Sequence, residues 1–215
     1  MNFDLAFILK TVPGVLIGLV IHELAHAYTA YRLGDTTSRD QGRLTLNPLK
    51  HLDPIGFLLI VIAGFGWAKP VEVDPSQLKH KHRDEILISL AGPASNLVLA
   101  VVFVVVARFL YQVPYFHMTD LGLGAVNQLV LWAALNLGLF FFNLIPIPPL
   151  DGSHLYTTFL KVKNPQLFAA FYRYGTLVLL IVVLFQNFTK ITILPLSPLI
   201  CAMLGGLLTL FGSGS

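Results

Sequence analysis

Apolar runs of about twenty residues recur along this chain, and a run of that length is what an α-helix needs to cross roughly 30 Å of hydrocarbon. Spans are expected near residues 5–32, 86–110, 123–145, 167–187 and 192–211, five in all. Composition agrees: of 215 residues, 55% are hydrophobic and 12% are charged, about half the charge of an ordinary soluble domain. The expected fold class is an all-α polytopic membrane protein, because a backbone in lipid must satisfy its own hydrogen bonds. The run from Ile55 to Trp67 is too short to span and lies between Pro54 and Pro70. It reads as a re-entrant or interfacial element.

On either side of that dip, Arg43–Asn47 and Lys69–Asp74 alternate polar and apolar residues between turn formers. Both are expected as short strands, giving a β-hairpin element at the membrane surface. Loops that face the cytoplasm collect Lys and Arg. The stretch from Arg32 to Arg83 holds Arg32, Arg39, Arg43, Lys50, Lys69, Lys79, Lys81 and Arg83, whereas the loop after the second span has only Arg108. That asymmetry predicts an N-terminus outside, a cytoplasmic first loop and, after an odd number of spans, a cytoplasmic C-terminus. A prokaryotic plasma membrane is the default host.

The apolar N-terminal run has no basic region before it and no cleavage site, so the first helix is expected to remain in the mature protein. Residues 1–211 read as one membrane domain, with a core at about 10–155 and extra helices at about 167–211. Gly212–Ser215 reads as an appended linker. The single cysteine, Cys201, excludes an intrachain disulfide. A net charge of +3, scattered along the chain, gives no basis for nucleic-acid binding. The lipid bilayer is the expected surrounding, and the oligomeric state is not legible.

The most informative residues are His22-Glu23-Leu24-Ala25-His26, set inside the first apolar run. On a helix, positions i and i+4 share one face, so both imidazoles can hold one Zn²⁺ at about 2.0–2.1 Å. Glu23 is then placed to take a proton from an attacking water. Two histidines and a glutamate are costly at bilayer depth unless something pairs with them, and a metal does that. A catalytic zinc takes three protein ligands and leaves its fourth position open.

The third ligand is expected at Asp151. It ends the stretch Asn143-Leu144-Ile145-Pro146-Ile147-Pro148-Pro149-Leu150-Asp151-Gly152, in which three prolines break the helix. Such irregular backbone at membrane depth is tolerated only where it is buried in protein or lines a watery cavity. The topology puts His22, His26 and Asp151 at the inner ends of two spans running in the same direction. By itself Asp151 reads equally as a solvated turn residue; the histidine pair favours the ligand.

Together, His22–His26, Ala91-Gly92-Pro93-Ala94-Ser95-Asn96 and Asn143–Gly152 resemble the three signature regions of the site-2 protease family of intramembrane zinc metalloproteases, in its compact form. The resemblance covers most of residues 10–155. It implies one zinc per chain on His22, His26 and Asp151, Glu23 as the base, and transmembrane proteins or peptides as substrates. It also implies that Asn143 steadies the scissile carbonyl. Neither a PDZ module nor a nucleotide-sensing domain fits in this length.

Other polar positions have plainer readings. Gly14, Gly18 and Ala91–Ser95 suit close helix packing. Asn96 is a packing residue with a possible bridge to the metal site, and His154 is near enough to Asp151 for a supporting role. His80 and His82 read as part of a solvated loop, and His51 and His117 as isolated. The rival function is a metal-binding transporter or scaffold without hydrolysis. A transporter should carry ionisable residues along several spans, and the second and fifth have almost none in their interiors.

Overall fold

The computed structural model describes residues 5–63, 66–189 and 192–211. The expected 212–215 linker lies outside them. Nine α-helices are present among the described residues: α1 Leu5–Arg32, α2 Thr37–Asp40, α3 Pro54–Ala63, α4 Lys81–Tyr111, α5 Pro114–Met118, α6 Asp120–Asn143, α7 His154–Lys163, α8 Pro165–Thr189 and α9 Leu196–Leu210. Four stretches are long and apolar enough to cross a membrane: Ile8–Arg32 in α1, all of α4 and α6, and Pro165–Gln186 in α8. At 15 residues α9 is only about 22 Å long. The expected fifth span is thus an apolar helix too short to qualify by length.

Three helices, α1, α4 and α6, form the central bundle. Lipid tails are as apolar as leucine, so close packing rather than water exclusion must hold them together. Ala100 and Val104 of α4 and Ala133 and Leu137 of α6 are fully buried, and Ile200, Met203 and Leu204 of α9 pack on them. Glycines set the approach of α1 to α6: a Cβ at Gly14 would lie 2.6 Å from Trp132 Cγ, and one at Gly18 2.6 Å from Asn136 Oδ1. The starts of α4 and α6 are marked locally. Asp84 accepts from the amide of His80 at the head of α4, and Thr119 Oγ1 accepts from Gly122 at the head of α6.

The expected strands do not form. Among the described residues the only ladder-type pairing in this region is one antiparallel bridge, Leu52 with Ala68. Asn47 instead accepts from Leu49 and starts a 3₁₀ turn at Pro48–Lys50, which cuts the first candidate strand. The second stays extended but is held by side chains: Asp35 accepts from the Asp74 amide at 2.8 Å, and Ser38 donates to Glu72 O. The apolar dip is the helix α3, after which Gly66 and Trp67 return against Gly56.

Arg43, read from sequence as a first-loop cation at the start of an expected strand, is 3% exposed and pins both legs of this segment. Its guanidinium donates to Lys50 O at 2.6 Å and to Lys69 O. Hydrogen bonds from a charged donor are worth about 1.5–3 kcal/mol each, and a buried carbonyl left unpaired costs its desolvation as well. Arg43→Met is therefore expected to loosen residues 66–75 selectively. Hydrogen exchange at the Lys69 amide, which bonds His51 O, should accelerate while the amides of α4 and α6 keep their protection.

Candidate metal centre

The bundle brings His22, His26 and Asp151 together. Their ligand atoms all lie within 4.8 Å of one another, the one such group of three among the described residues. Both histidines sit one turn apart on α1, facing α4, and are 5% and 7% exposed. Asp151 arrives from the helix break after α6, where Gly152 lets the turn press onto the end of that helix. A Cβ there would lie 2.5 Å from Leu144 C and 2.9 Å from Ile145 O.

Hydrogen bonds at the back of each ring decide what its front can do. His26 Nδ1 is 2.7 Å from Ile88 O, and His22 Nδ1 is 2.7 Å from Asn96 Oδ1. Both partners are acceptors, so both Nδ1 atoms carry the proton. In their neutral form the rings then turn Nε2 lone pairs toward each other at 3.0 Å. Asp151 adds its carboxylate oxygens, 3.1 Å from His22 Nε2 and 3.4 Å from His26 Nε2. Three converging lone pairs repel unless a cation sits among them.

The spacing also suits one. Tetrahedral ligands with bonds of about 2.0–2.1 Å stand about 3.3–3.4 Å apart; the two Nε2 atoms are 3.0 Å apart, and each has a different Asp151 oxygen at a similar distance, Oδ2 at 3.1 Å from His22 and Oδ1 at 3.4 Å from His26. The donor set, two imidazoles and a carboxylate, is that of a borderline divalent ion with an open fourth position. Oδ2 of Asp151 and Oε2 of Glu23 are buried without a hydrogen-bond partner. The residues present therefore fit a bound metal.

A cavity of about 840 Å³ opens beside these groups. Glu23 and Asn143 line it, as do Val71 and Val73 from the extended segment and Tyr172 and Leu179 from α8. Asn143 donates through Nδ2 to Leu139 O at 3.0 Å, which leaves its second amide hydrogen free for the cavity. His154 also lines the cavity, 3.4 Å from Tyr172 Oη, and burial pushes its imidazole below the ordinary histidine value. The other histidines do not join. His82 stacks on Phe159, His51 is buried against Thr45 O, and His117 bonds Tyr111 O.

Asn136 escaped the sequence reading. It is fully buried and joined to Asn96, and an amide in the middle of an apolar span was the available signal.

Comparison with known proteins adds an independent line. The chain matches peptidase family M50 over residues 10–123 and 115–185. It is 46% identical over 158 residues to a Bacillus subtilis protein named "Putative zinc metalloprotease YwhC", covering 71% of each chain. Two proteins named "Putative zinc metalloprotease Rip2" are also similar. One is from Mycolicibacterium smegmatis at 32% identity and one from Mycobacterium tuberculosis at 31%, each match covering 80% of this chain and 66% of the relative. No solved structure gives a significant match.

Proposed function

This chain belongs to peptidase family M50, and from that premise we propose that it is a zinc endopeptidase cutting membrane-embedded proteins within or at the edge of the bilayer. The observation that carries the reading is the convergence of ligand atoms from His22, His26 and Asp151 beside the buried Glu23, whose Oε2 has no hydrogen-bond partner. His22, His26 and Asp151 would hold one zinc ion. Zinc bound there supplies Lewis acidity, polarising a carbonyl and lowering the pKa of water toward about 7.

The chain's own groups do the rest. Glu23 Oε2 accepts the proton of the attacking water and returns it to the leaving amine. Asn143 donates its free amide hydrogen to the developing oxyanion, an effect of about 2.7–4 kcal/mol in comparable sites. A helical substrate hides its amides and must unwind locally before cleavage. The extended segment offers a template: Ser38 and Asp35 hold its Glu72 and Asp74 backbone groups from one side. The backbone groups of Val71 and Val73 have no hydrogen bond among the described residues. An unwound substrate can add to that edge as a strand.

In this reading the Lys- and Arg-rich first loop faces the cytoplasm and the N-terminus lies outside. A cytoplasmic C-terminus then requires α9 to cross as the fifth span. Residues 1–211 act as one domain.

The test is cleavage of a panel of single-span proteins by the purified protein in detergent. Cleavage should disappear when a chelator removes the zinc and return when zinc is restored. Zinc binding with no cleavage across the panel would favour the metal-transport or scaffold alternative, and no zinc binding would remove the site itself.

A further inference from the structure

We propose that Asn96 on α4, oriented by Asn136 on α6, is a positioning residue that sets the tautomer of His22 and so prepares its Nε2 to ligate metal; this rests on the metal-site reading above. The argument is one of direction. Asn136 Nδ2 donates to Trp132 O at 2.9 Å. A backbone carbonyl only accepts, so the nitrogen of Asn136 must face Trp132 and its oxygen must face α4. That oxygen accepts from Asn96 Nδ2 at 3.1 Å, and the same nitrogen donates to Gly18 O at 3.1 Å. Both amide hydrogens of Asn96 are thereby used on acceptors.

The oxygen of Asn96 is consequently the atom that meets His22 Nδ1, at 2.7 Å. An amide oxygen cannot donate, so the ring must carry a proton on Nδ1, and of the two neutral tautomers this selects the one with its lone pair on Nε2. Were Asn96 turned the other way, its NH₂ would meet Nδ1 and the proton would move to Nε2, into the space between His26 and Asp151. A proton there would occupy the position of the metal.

The second asparagine has a reason to exist. His26 is held by Ile88 O, whose direction the helix already decides. His22 has only a side-chain amide behind it, and an amide can flip. Asn136 and Gly18 O together remove that freedom, so the backbone of α6 dictates a proton position on α1 through two fully buried side chains. Gly18 leaves room for the crossing, since a Cβ there would sit 2.6 Å from Asn136 Oδ1. A buried polar chain of this kind is costly unless every member is paired.

The test uses the full-length protein in detergent, with zinc affinity measured by competition against a chromophoric chelator and the site geometry read from the visible spectrum of bound Co²⁺. Asn96→Leu should lower zinc affinity about 10–100-fold, the usual effect of losing an outer partner of a metal-bound histidine, and alter the Co²⁺ bands. Asn136→Leu touches none of the three ligands, yet should lower affinity about tenfold in the same direction. Asn136→Asp should restore it, because a carboxyl kept neutral by burial still accepts from Asn96 and donates to Trp132 O.

Wild-type affinity and spectrum in folded Asn96→Leu would overturn the proposal. If that variant does not fold, Asn136→Leu decides, and an unchanged affinity and spectrum there would overturn the relay. Failure of the wild-type protein to bind zinc would instead refute the metal site, separately from either result.

Discussion

Replacing Glu23 by glutamine is expected to slow peptide hydrolysis by about 10²–10⁴-fold, the usual contribution of a positioned general base, while zinc binding stays at the wild-type level. The substitution keeps the shape of the side chain and removes only its ability to take a proton. Glu23 is on the His22–His26 turn of α1, is 8% exposed, and its Oε2 has no hydrogen-bond partner. Little in the fold depends on its charge, so the loss should appear in kcat and not in thermal stability. Zinc content and cleavage of a single-span substrate, measured on the same preparation, separate the two roles. A Glu23→Gln protein that still cuts at near the wild-type rate would assign the proton transfer to another group.

Gly92→Ala is expected to abolish zinc binding and activity together, although it adds one methyl group. The new Cβ would stand 2.5 Å from His26 Cε1 and 2.6 Å from His22 Cε1, and closer still to His26 Nε2. Real Cβ atoms do not approach heavy atoms that closely, so the rings or the helix must move. The imidazoles have nowhere to go, because their rear nitrogens are tied to Asn96 and Ile88. Metal sites tolerate displacements of only about 0.2 Å in ligand distance. Gly124→Ala on α6 is the control, since nothing lies within 4 Å of a Cβ there. Zinc affinity by chelator competition should fall beyond measurement for the first and remain unchanged for the second.

Much of this site was legible in the sequence because its chemistry is locally encoded. His22 and His26 need only a helix to share a face, and apolar flanks of sufficient length guarantee the helix. Glu23 follows from the same five residues. Asp151 is a different case. It lies far along the chain, and a proline-rich break marked it as a place where polar backbone must be sheltered. The fold of α1, α4 and α6 then set it 3.1 Å from His22. Asn143 was named through a family resemblance; what the fold adds is that it lines the cavity with one amide hydrogen free.

Elsewhere the local pattern misled. Alternation in Arg43–Asn47 and Lys69–Asp74 pointed to strands, but alternation reports only which faces are apolar and says nothing about which partners the backbone will meet. The side chains of Arg43, Asp35 and Ser38 take backbone groups of the second stretch, and His51 takes Thr45 O in the first. The last apolar stretch was long enough in sequence, yet Pro195 precedes the helix and leaves 15 residues for α9.

What the sequence determined by itself was class and chemistry: a helical membrane protein with a His-Glu-His face on its first span and an acidic residue behind a proline break. These depend on residue type and on spacing within one turn, which a chain carries with it wherever it folds. Only the tertiary structure decided which nitrogen of His22 faces the site, that Gly92 makes the space for both rings, and that Asn136 orients Asn96. Each of those is a relation between helices, fixed by which atoms of α4 and α6 come within hydrogen-bond or van der Waals distance of α1. No local pattern encodes a distance between residues forty or more positions apart.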